Sequence, residues 1–160
     1  MLSFDELFES YAGDVYRFAF ALAGDSDDAK DITSETFIRA WTRSSTIRTE
    51  TLKAYLLTIA RNIYLEWQRK HKHRVALEES LPDPAPGQDT RLESRLELQR
   101  LQRVFQTLPE IDRVAFLLRV QHELAYEEIA RVLGISLAAA KVKVHRVRKR
   151  LQTHRLETEV

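Results

Sequence analysis

The chain has 160 residues, of which 44% are hydrophobic, so it can form one medium packed domain or two small ones rather than a disordered segment. Its net charge of +1 argues against a general nucleic-acid coat, and the absence of cysteine excludes disulfides, thiolate metal sites and cysteine catalysis. No apolar run approaches the ~20 residues of a membrane span, and the acidic, amphipathic N-terminus does not resemble a signal peptide. These features are compatible with a protein of the reducing cytosol.

Three amphipathic helices are predicted in the first half of the chain. The first begins at a capping box of Ser3 and Glu6, and the second begins with the acidic segment 25–28, where the helix dipole favours negative charge. After a polar loop at 42–50, the third helix continues into a basic tail at 69–74. Their apolar faces are, in order, Phe4, Leu7, Phe8, Tyr11, Val15, Phe18 and Leu22; Ala29, Ile32, Thr36, Phe37, Ala40 and Trp41; and Leu52, Tyr55, Leu56, Ile59, Ala60, Ile63, Tyr64 and Trp67.

Two charged features of these helices admit more than one interpretation. The second helix carries acidic residues on consecutive turns, namely Asp27, Asp28, Asp31 and Glu35. A solvated acidic face explains them better than a metal or acid–base cluster does, and a docking surface for a basic partner fits better than either. The basic tail of the third helix is explained by the helix dipole or by a DNA-binding surface.

A linker is predicted at 78–92, where three of the four prolines lie in an acidic segment. It is followed by a helix with an apolar face from Leu98 to Leu108, which Pro109 ends. Pro109 is a favourable first residue for the next helix, which carries Ile111, Val114 and Leu118. We therefore expect two compact helical domains on either side of a tether.

The segment 124–151 has the pattern of a helix-turn-helix. Ala130 is small enough for a second helix to cross closely, Gly134 suits a tight turn, and Ser136 can cap the helix that follows. From Ser136 to Arg155 there is no acidic residue, whereas seven cations occur: Lys141, Lys143, Arg146, Arg148, Lys149, Arg150 and Arg155. A helix of this kind fits the major groove of DNA; the alternative is a solvated basic helix packed on another helix.

No catalytic or metal-binding motif is found in the sequence. His71, His73, His122, His145 and His154 do not form a metal-ligand spacing, and there is no Gly-rich phosphate loop and no GxSxG. We therefore expect no enzyme activity, no metal and no cofactor. Two basic surfaces on a tether predict recognition of two DNA sites on the order of 60 Å apart.

Five segments resemble those of the extracytoplasmic-function (ECF, group 4) sigma factors of the sigma-70 family. DITSETFIRAW at 31–41 is similar to DLVQETFLRAW, AYLLTIARN at 54–62 to AWLFRIARN, and LPEIDR at 108–113 to LPERQR. YEEIA at 126–130 and KVHRVRKRL at 143–151 are similar to YEEIA and RLHRARKRL. The five segments occur in the family's order across nearly the whole chain.

This resemblance implies an all-α fold with sigma domain 2 at 1–76, an acidic Pro-rich linker at 77–95 and sigma domain 4 at 96–160. It implies a promoter-specificity subunit in the bacterial cytoplasm, which directs initiation by recognising −35 and −10 elements and promoting DNA melting. The implied partners are promoter DNA, the β′ clamp helices and β flap of core RNA polymerase, and an anti-sigma factor that holds the protein inactive.

The resemblance also assigns residues to three surfaces. Core polymerase binding falls to Asp28, Asp31, Ser34, Glu35 and Arg39. Binding of the −10 element, where a flipped base is captured, falls to Thr46, Ile47, Arg48, Asn62, Arg69 and Lys70. Binding of the −35 element falls to Arg119, Ser136, Lys141, Val142, His145, Arg146 and Lys149, with Lys143 and Arg148 as further phosphate contacts.

The sequence departs from the family pattern at several positions. Ser34 replaces Gln, the segment 137–140 replaces EGTV, and Glu123 replaces Gly or Asp. Two other classes of protein remain as alternatives. A regulator of duplex DNA would carry a ligand pocket, receiver or dimerisation element in place of the first domain, and a sequestering module would lack the cationic helix.

Overall fold

The computed structural model describes residues 3–43, 51–71 and 89–158, and within these ranges all the regular secondary structure is helical. The helices are α1 (Phe4–Ala23), α2 (Ser26–Thr42), α3 (Leu52–His71), α4 (Asp89–Gln106), α5 (Glu110–Val120), α6 (Tyr126–Leu133) and α7 (Leu137–Thr158). The predicted all-α class is confirmed for this part of the chain. The loop at 44–50 and most of the predicted linker lie outside the described residues.

Helices α1, α2 and α3 pack together as the N-terminal bundle. The predicted capping box starts α1, with the Ser3 amide 3.0 Å from Glu6 Oε2 and the Glu6 amide 3.2 Å from Ser3 Oγ. Asp25 caps α2 by accepting a hydrogen bond of 2.9 Å from the Asp28 amide. The predicted apolar faces form the core, whose largest fully buried side chains include Phe18, Leu22, Ile32, Phe37, Leu56 and Ile63.

Two aromatic residues of the predicted apolar faces are exposed at one end of the bundle. Phe8 and Trp41 retain 40% and 47% of their accessible surface. Each packs its ring against one aromatic neighbour across the helices, Phe8 on Phe37 and Trp41 on Phe4, with centroids 5.0 and 5.8 Å apart. The helical spacing alone did not distinguish this rim from the core.

Helices α4 to α7 form the C-terminal unit. Helix α4 begins at Asp89, so the end of the segment predicted as linker is helical, and it ends at Gln106, before Pro109. Pro109 is the N-cap residue of α5 rather than its first helical residue, and its carbonyl accepts the first helical hydrogen bond, 3.1 Å from the Arg113 amide.

The predicted helix-turn-helix is present as α6, the turn at 134–136 and α7. Gly134 has φ = +65°, the left-handed conformation that glycine adopts without strain. Ser136 Oγ accepts a hydrogen bond of 3.1 Å from the Ala139 amide and so caps α7. Ala130 is buried where the helices cross. These features fix the direction in which α7 leaves the unit.

The N-terminal bundle and the C-terminal unit pack against each other, with α5 in contact with α1. The sequence had predicted two domains on a tether and gave no sign of this contact, because the helical spacing of α5 predicts a buried face but not its partner. Helices α3 and α7, which carry predicted −10 and −35 residues, are therefore held within one arrangement.

Candidate nucleic-acid interface

Helix α7 presents one continuous polar face. Ala140, Val144 and Val147 are buried against the rest of the unit, at a spacing of three or four residues. The exposed side chains on the other side of the helix include Lys141, Val142, His145, Arg146 and Lys149. The structure therefore brings five of the seven predicted −35 residues onto one face, which combines cations for guanine or phosphate with an apolar Val142 suited to a thymine methyl.

The other two predicted −35 residues have partners within the protein. Ser136 caps α7 as described and is itself exposed at the start of that helix. Arg119 is half-buried: its guanidinium lies 4.3 Å from the centroid of the Tyr126 ring and donates to the Leu124 carbonyl at 3.1 Å. The ammonium of Lys141 lies 6.0 Å from the same ring. Tyr126 thus supports two cations beside the reading face.

Lys143, predicted to contact phosphate, is directed elsewhere. Its ammonium lies 3.4 Å from Asp112 Oδ1, and its side chain is only 20% exposed. Lys143 lies on the same side of α7 as the buried residues, because it is next to Val144 and one helical turn from Ala140 and Val147. In this arrangement Lys143 joins α7 to α5 and does not extend the reading face.

Helix α3 carries the described part of the predicted −10 surface. Asn62, Arg69 and Lys70 are all exposed, and seven or eight residues separate Asn62 from the two cations, which places them on one side of the helix. Thr46, Ile47 and Arg48 lie outside the described residues. The structure therefore shows an amide and two cations along one exposed side, suited to a single strand and its phosphates.

The acidic surface of α2 is exposed at Asp28, Asp31 and Ser34, whereas Glu35 and Arg39 are half-buried. Arg39 crosses from α2 to α3 and forms a two-pronged ion pair with Glu66, at 2.8 and 3.1 Å, while its Nε lies 3.0 Å from Glu35. The hydrogen bonds from Arg39 lower the pKa of Glu66, and they raise the pKa of Arg39 itself. Arg39 therefore orients the acidic helix on the bundle.

Asp28 lines a small cleft together with Trp67 and His71. Partial burial, followed by the negative charge of Asp25, raises the pKa of Asp28 above its usual range. A group in this state is stabilised when a cation approaches. The exposed carboxylates of Asp27, Asp28 and Asp31 give α2 a negative surface, which suits a basic partner.

An apolar groove of about 390 Å³ runs between α1 and the C-terminal unit. Its lining residues include Phe20, Leu98, Leu101, Phe105, Phe116 and Leu151. Leu98 is 64% exposed at its edge. The groove could accept an apolar element of a partner.

Within the described ranges, no helix is long and apolar enough to cross a membrane. The same ranges contain no cluster of three or more His, Cys, Asp or Glu side chains that could hold a metal ion.

Sequence reasoning missed the residues that join the two halves of the molecule. Arg61 pairs with Glu110, and Arg113 reaches the carbonyl of Leu22 and the hydroxyl of Tyr64. Arg61 and Arg113 stand in two of the segments that carry the family resemblance, but a sequence motif does not reveal a contact across 49 or 91 residues. Tyr126 was missed as a platform because its ring lies on α6, outside the reading helix.

A helix-turn-helix with a cationic reading face, packed on a bundle with a second basic surface, defines the molecule as a two-part helical DNA-binding protein. Comparison with known families specifies the class. The family described as Sigma-70 region 2 matches residues 7–74, and the family described as Sigma-70, region 4 matches residues 98–151. The chain belongs to the ECF group of the sigma-70 family of RNA polymerase sigma factors.

Individual relatives agree with this assignment. The ECF RNA polymerase sigma factor SigE of Mycolicibacterium smegmatis is 34% identical over 96% of this chain, which spans 62% of that protein's length. SigM of Bacillus subtilis, another ECF sigma factor, is 29% identical over 94% of each chain. The solved sigma factor RpoE of Bartonella quintana, in complex with the anti-sigma factor NepR, has a TM-score of 0.75 at 26% identity over 94% of each chain.

Proposed function

We propose that this protein directs RNA polymerase to promoters by recognising −35 and −10 elements and promoting melting of the latter, without catalysis of its own. The observation that carries the proposal is the exposed face of α7, where Lys141, Val142, His145, Arg146 and Lys149 project from a capped helix-turn-helix. The match of two sigma regions in their order supports the same conclusion.

We further propose a first domain at 1–76, a linker at 77–95 whose last residues form the start of α4, and a second domain at 96–160. The −10 element is bound by α3 and the loop before it. The acidic face of α2 binds the β′ clamp helices, for which its exposed carboxylates suit a basic partner. The apolar groove beside α4 and α5 receives an apolar element of the β flap. The protein acts in the bacterial cytoplasm, where polymerase and promoters meet.

An anti-sigma factor is a proposed partner as well. The solved sigma factor that resembles this chain over both halves was crystallised with such a protein. An anti-sigma factor that binds here would hold the chain away from polymerase until a signal releases it.

The first experiment is co-purification with bacterial core RNA polymerase, followed by transcription from a pool of genomic fragments. We expect a complex with core enzyme and transcripts that share one pair of −35 and −10 sequences. Tight duplex binding by the protein alone, without binding to core enzyme, would instead identify an ordinary DNA-binding regulator.

A matched pair of variants tests the docking surface separately. Asp28→Asn with Asp31→Asn removes two exposed charges from α2, and Asp5→Asn with Glu9→Gln removes two exposed charges from α1. We expect only the α2 pair to weaken binding to core polymerase. Equal weakening by both pairs would show that general charge, rather than this surface, determines docking.

A further inference from the structure

The C-terminal unit is attached to the N-terminal bundle by hydrogen bonds to the last turn of α1 and the start of α3. Arg113 Nη1 donates to the Leu22 carbonyl at 2.8 Å, and Gln106 Nε2 donates to the Ala21 carbonyl at 2.9 Å. Thr51 Oγ1 donates to Glu128 Oε1 at 2.9 Å. The bonds from Arg113 and Gln106 satisfy backbone carbonyls at the end of α1, which otherwise lack an intrahelical partner, whereas the bond from Thr51 joins two side chains.

An ion pair at the same interface involves the residue beside Asn62. Arg61 Nε lies 2.7 Å from Glu110 Oε1, and Arg61 Nη2 lies 2.9 Å from Glu110 Oε2. The guanidinium therefore donates two parallel hydrogen bonds to the carboxylate. Both side chains are about four-fifths shielded from solvent. The same two-pronged geometry fits a phosphate group as well as a carboxylate.

The interface has features of a contact that opens. His122 is 5% exposed, its ring packs against Phe18 with centroids 5.9 Å apart, and neither ring nitrogen has a hydrogen-bond partner among the residues that the structure describes. A buried polar group without a partner costs free energy that opening of the interface would recover. Interfaces between domains of one chain are often of this polar, reversible kind.

The closed arrangement is too short to span a promoter. Two ion pairs, Lys143 with Asp112 and Arg61 with Glu110, connect the reading helix to α3 through one end of α5. Even with every side chain extended, that path covers less than about 40 Å. The positions −35 and −10 differ by about 25 base pairs, which is roughly 85 Å of duplex at about 3.4 Å per base pair. The two units must therefore separate before both elements are bound.

We propose that in the free chain Glu110 occupies the position of a DNA phosphate on Arg61, so that the C-terminal unit covers part of the single-strand surface of α3 until DNA displaces it. This inference rests on the proposed function, because only a DNA-reading α3 gives Arg61 a phosphate to bind. Glu110 suits the role since it is fixed in the first turn of α5, where the helix dipole also favours a negative charge.

The test uses the full-length chain without polymerase. The sequence contains no cysteine, so Ser26→Cys and Gln152→Cys place one spin label at an exposed position of each half. Glu110→Arg replaces attraction to Arg61 by repulsion. Glu127→Arg is the matched control, because Glu127 is also in the first turn of its helix, is exposed, and gives the same change of charge.

Two readouts are measured for each variant, the distance between the labels and the affinity for a short fluorescent oligothymidylate. We expect Glu110→Arg to lengthen the distance and to bind the single strand about fivefold more tightly than Glu127→Arg does. The charge swap Arg61→Glu with Glu110→Arg should restore the short distance and abolish the gain in affinity.

Two results would overturn the proposal. An unchanged distance in Glu110→Arg would show that this ion pair does not hold the units together. A longer distance with the same single-strand affinity as the control would show that Glu110 does not compete with phosphate. Since polymerase is absent, a failure of core binding affects neither readout, and normal promoter-specific transcription would leave the proposed function intact if this inference failed.

Discussion

The two helices proposed to read DNA are held differently in the closed chain. Helix α7 turns Lys141, Val142 and the residues along that face to solvent, where duplex DNA can reach them. Helix α3 exposes Asn62, yet the neighbouring Arg61 is paired with Glu110 of the other unit. The difference indicates that the closed arrangement hinders the binding of single-stranded DNA by α3. The surface of α7 can bind duplex DNA without any movement of α7 itself.

The largest expected effect comes from Arg113, which contacts both halves. Arg113 is 6% exposed, and its guanidinium donates to the Leu22 carbonyl, to Gln106 Oε1 at 3.0 Å and to Tyr64 Oη at 3.2 Å. Arg113→Ala leaves these acceptors buried, so we expect the free energy of unfolding to fall by about 3 kcal/mol. Denaturant unfolding measures this change.

Arg146→Ala is the control for that measurement, since Arg146 is exposed on α7. We expect it to change stability by less than about 0.5 kcal/mol while weakening DNA binding. If Arg113→Ala were equally mild, the closed interface would contribute little to the stability of the fold, and the contrast between α3 and α7 would lose its basis.

Closure should also depend on pH through His122. Burial, followed by the charge of Lys53, lowers the pKa of His122 to about 4, with Asp14 and Arg17 as the other charges facing it. The pKa of an exposed histidine is about 6.5, so the stabilisation is complete above pH 6.5 and is lost as the pH falls towards 4. At pH 5 the loss approaches about 2 kcal/mol, and the distance between the two labels should lengthen.

His122→Phe is the matched variant, because a phenyl ring can keep the contact with Phe18 but cannot bind a proton. Its label distance should stay short between pH 7 and pH 5. If the unsubstituted chain showed the same distance at both pH values, His122 would not be linked to closure.

For the exposed helix α7, Lys141→Ala tests whether this helix recognises bases. One base contact is worth roughly 1–3 kcal/mol, so we expect about a tenfold loss of discrimination at one base pair of the −35 element. Lys149→Ala should weaken binding to all sequences alike and reduce the dependence of binding on salt.

Arg119→Ala should resemble Lys141→Ala if Arg119 reads a base. A loss of stability without a change in selectivity would make Arg119 a support that packs on Tyr126.

The sequence predicted local structure well because local structure depends on neighbours along the chain. The capping box at Ser3, the turn at Gly134 and the buried spacing of α3 follow from residues three or four positions apart. The pairing of Arg61 with Glu110 could not be predicted, since charged residues of these types usually lie on the solvent-exposed surface of a helix. The redirection of Lys143 to Asp112 was hidden for the same reason.

The smallest predicted effect concerns Glu123, which lies in the connection between α5 and the helix-turn-helix. Glu123 has φ = +57°, a left-handed conformation that costs a residue with a side chain about 1–2 kcal/mol. The family pattern has Gly or Asp at this position, and the backbone angle supplies the reason. Part of the gain from glycine is offset by the greater freedom of the unfolded chain, so Glu123→Gly should stabilise the protein by about 0.5–1 kcal/mol.

Glu127→Gly gives the opposite expectation, because Glu127 lies within α6 and glycine there costs about 1 kcal/mol. The two variants remove the same charge four residues apart, so thermal unfolding of both separates backbone strain from electrostatics. Stabilisation only at position 123 would attribute the effect to backbone strain. Because neither side chain belongs to the ion pair of Arg61 with Glu110, the distance between the labels should remain short in both variants. A change in that distance would mean that this turn also sets the position of α5 on the bundle.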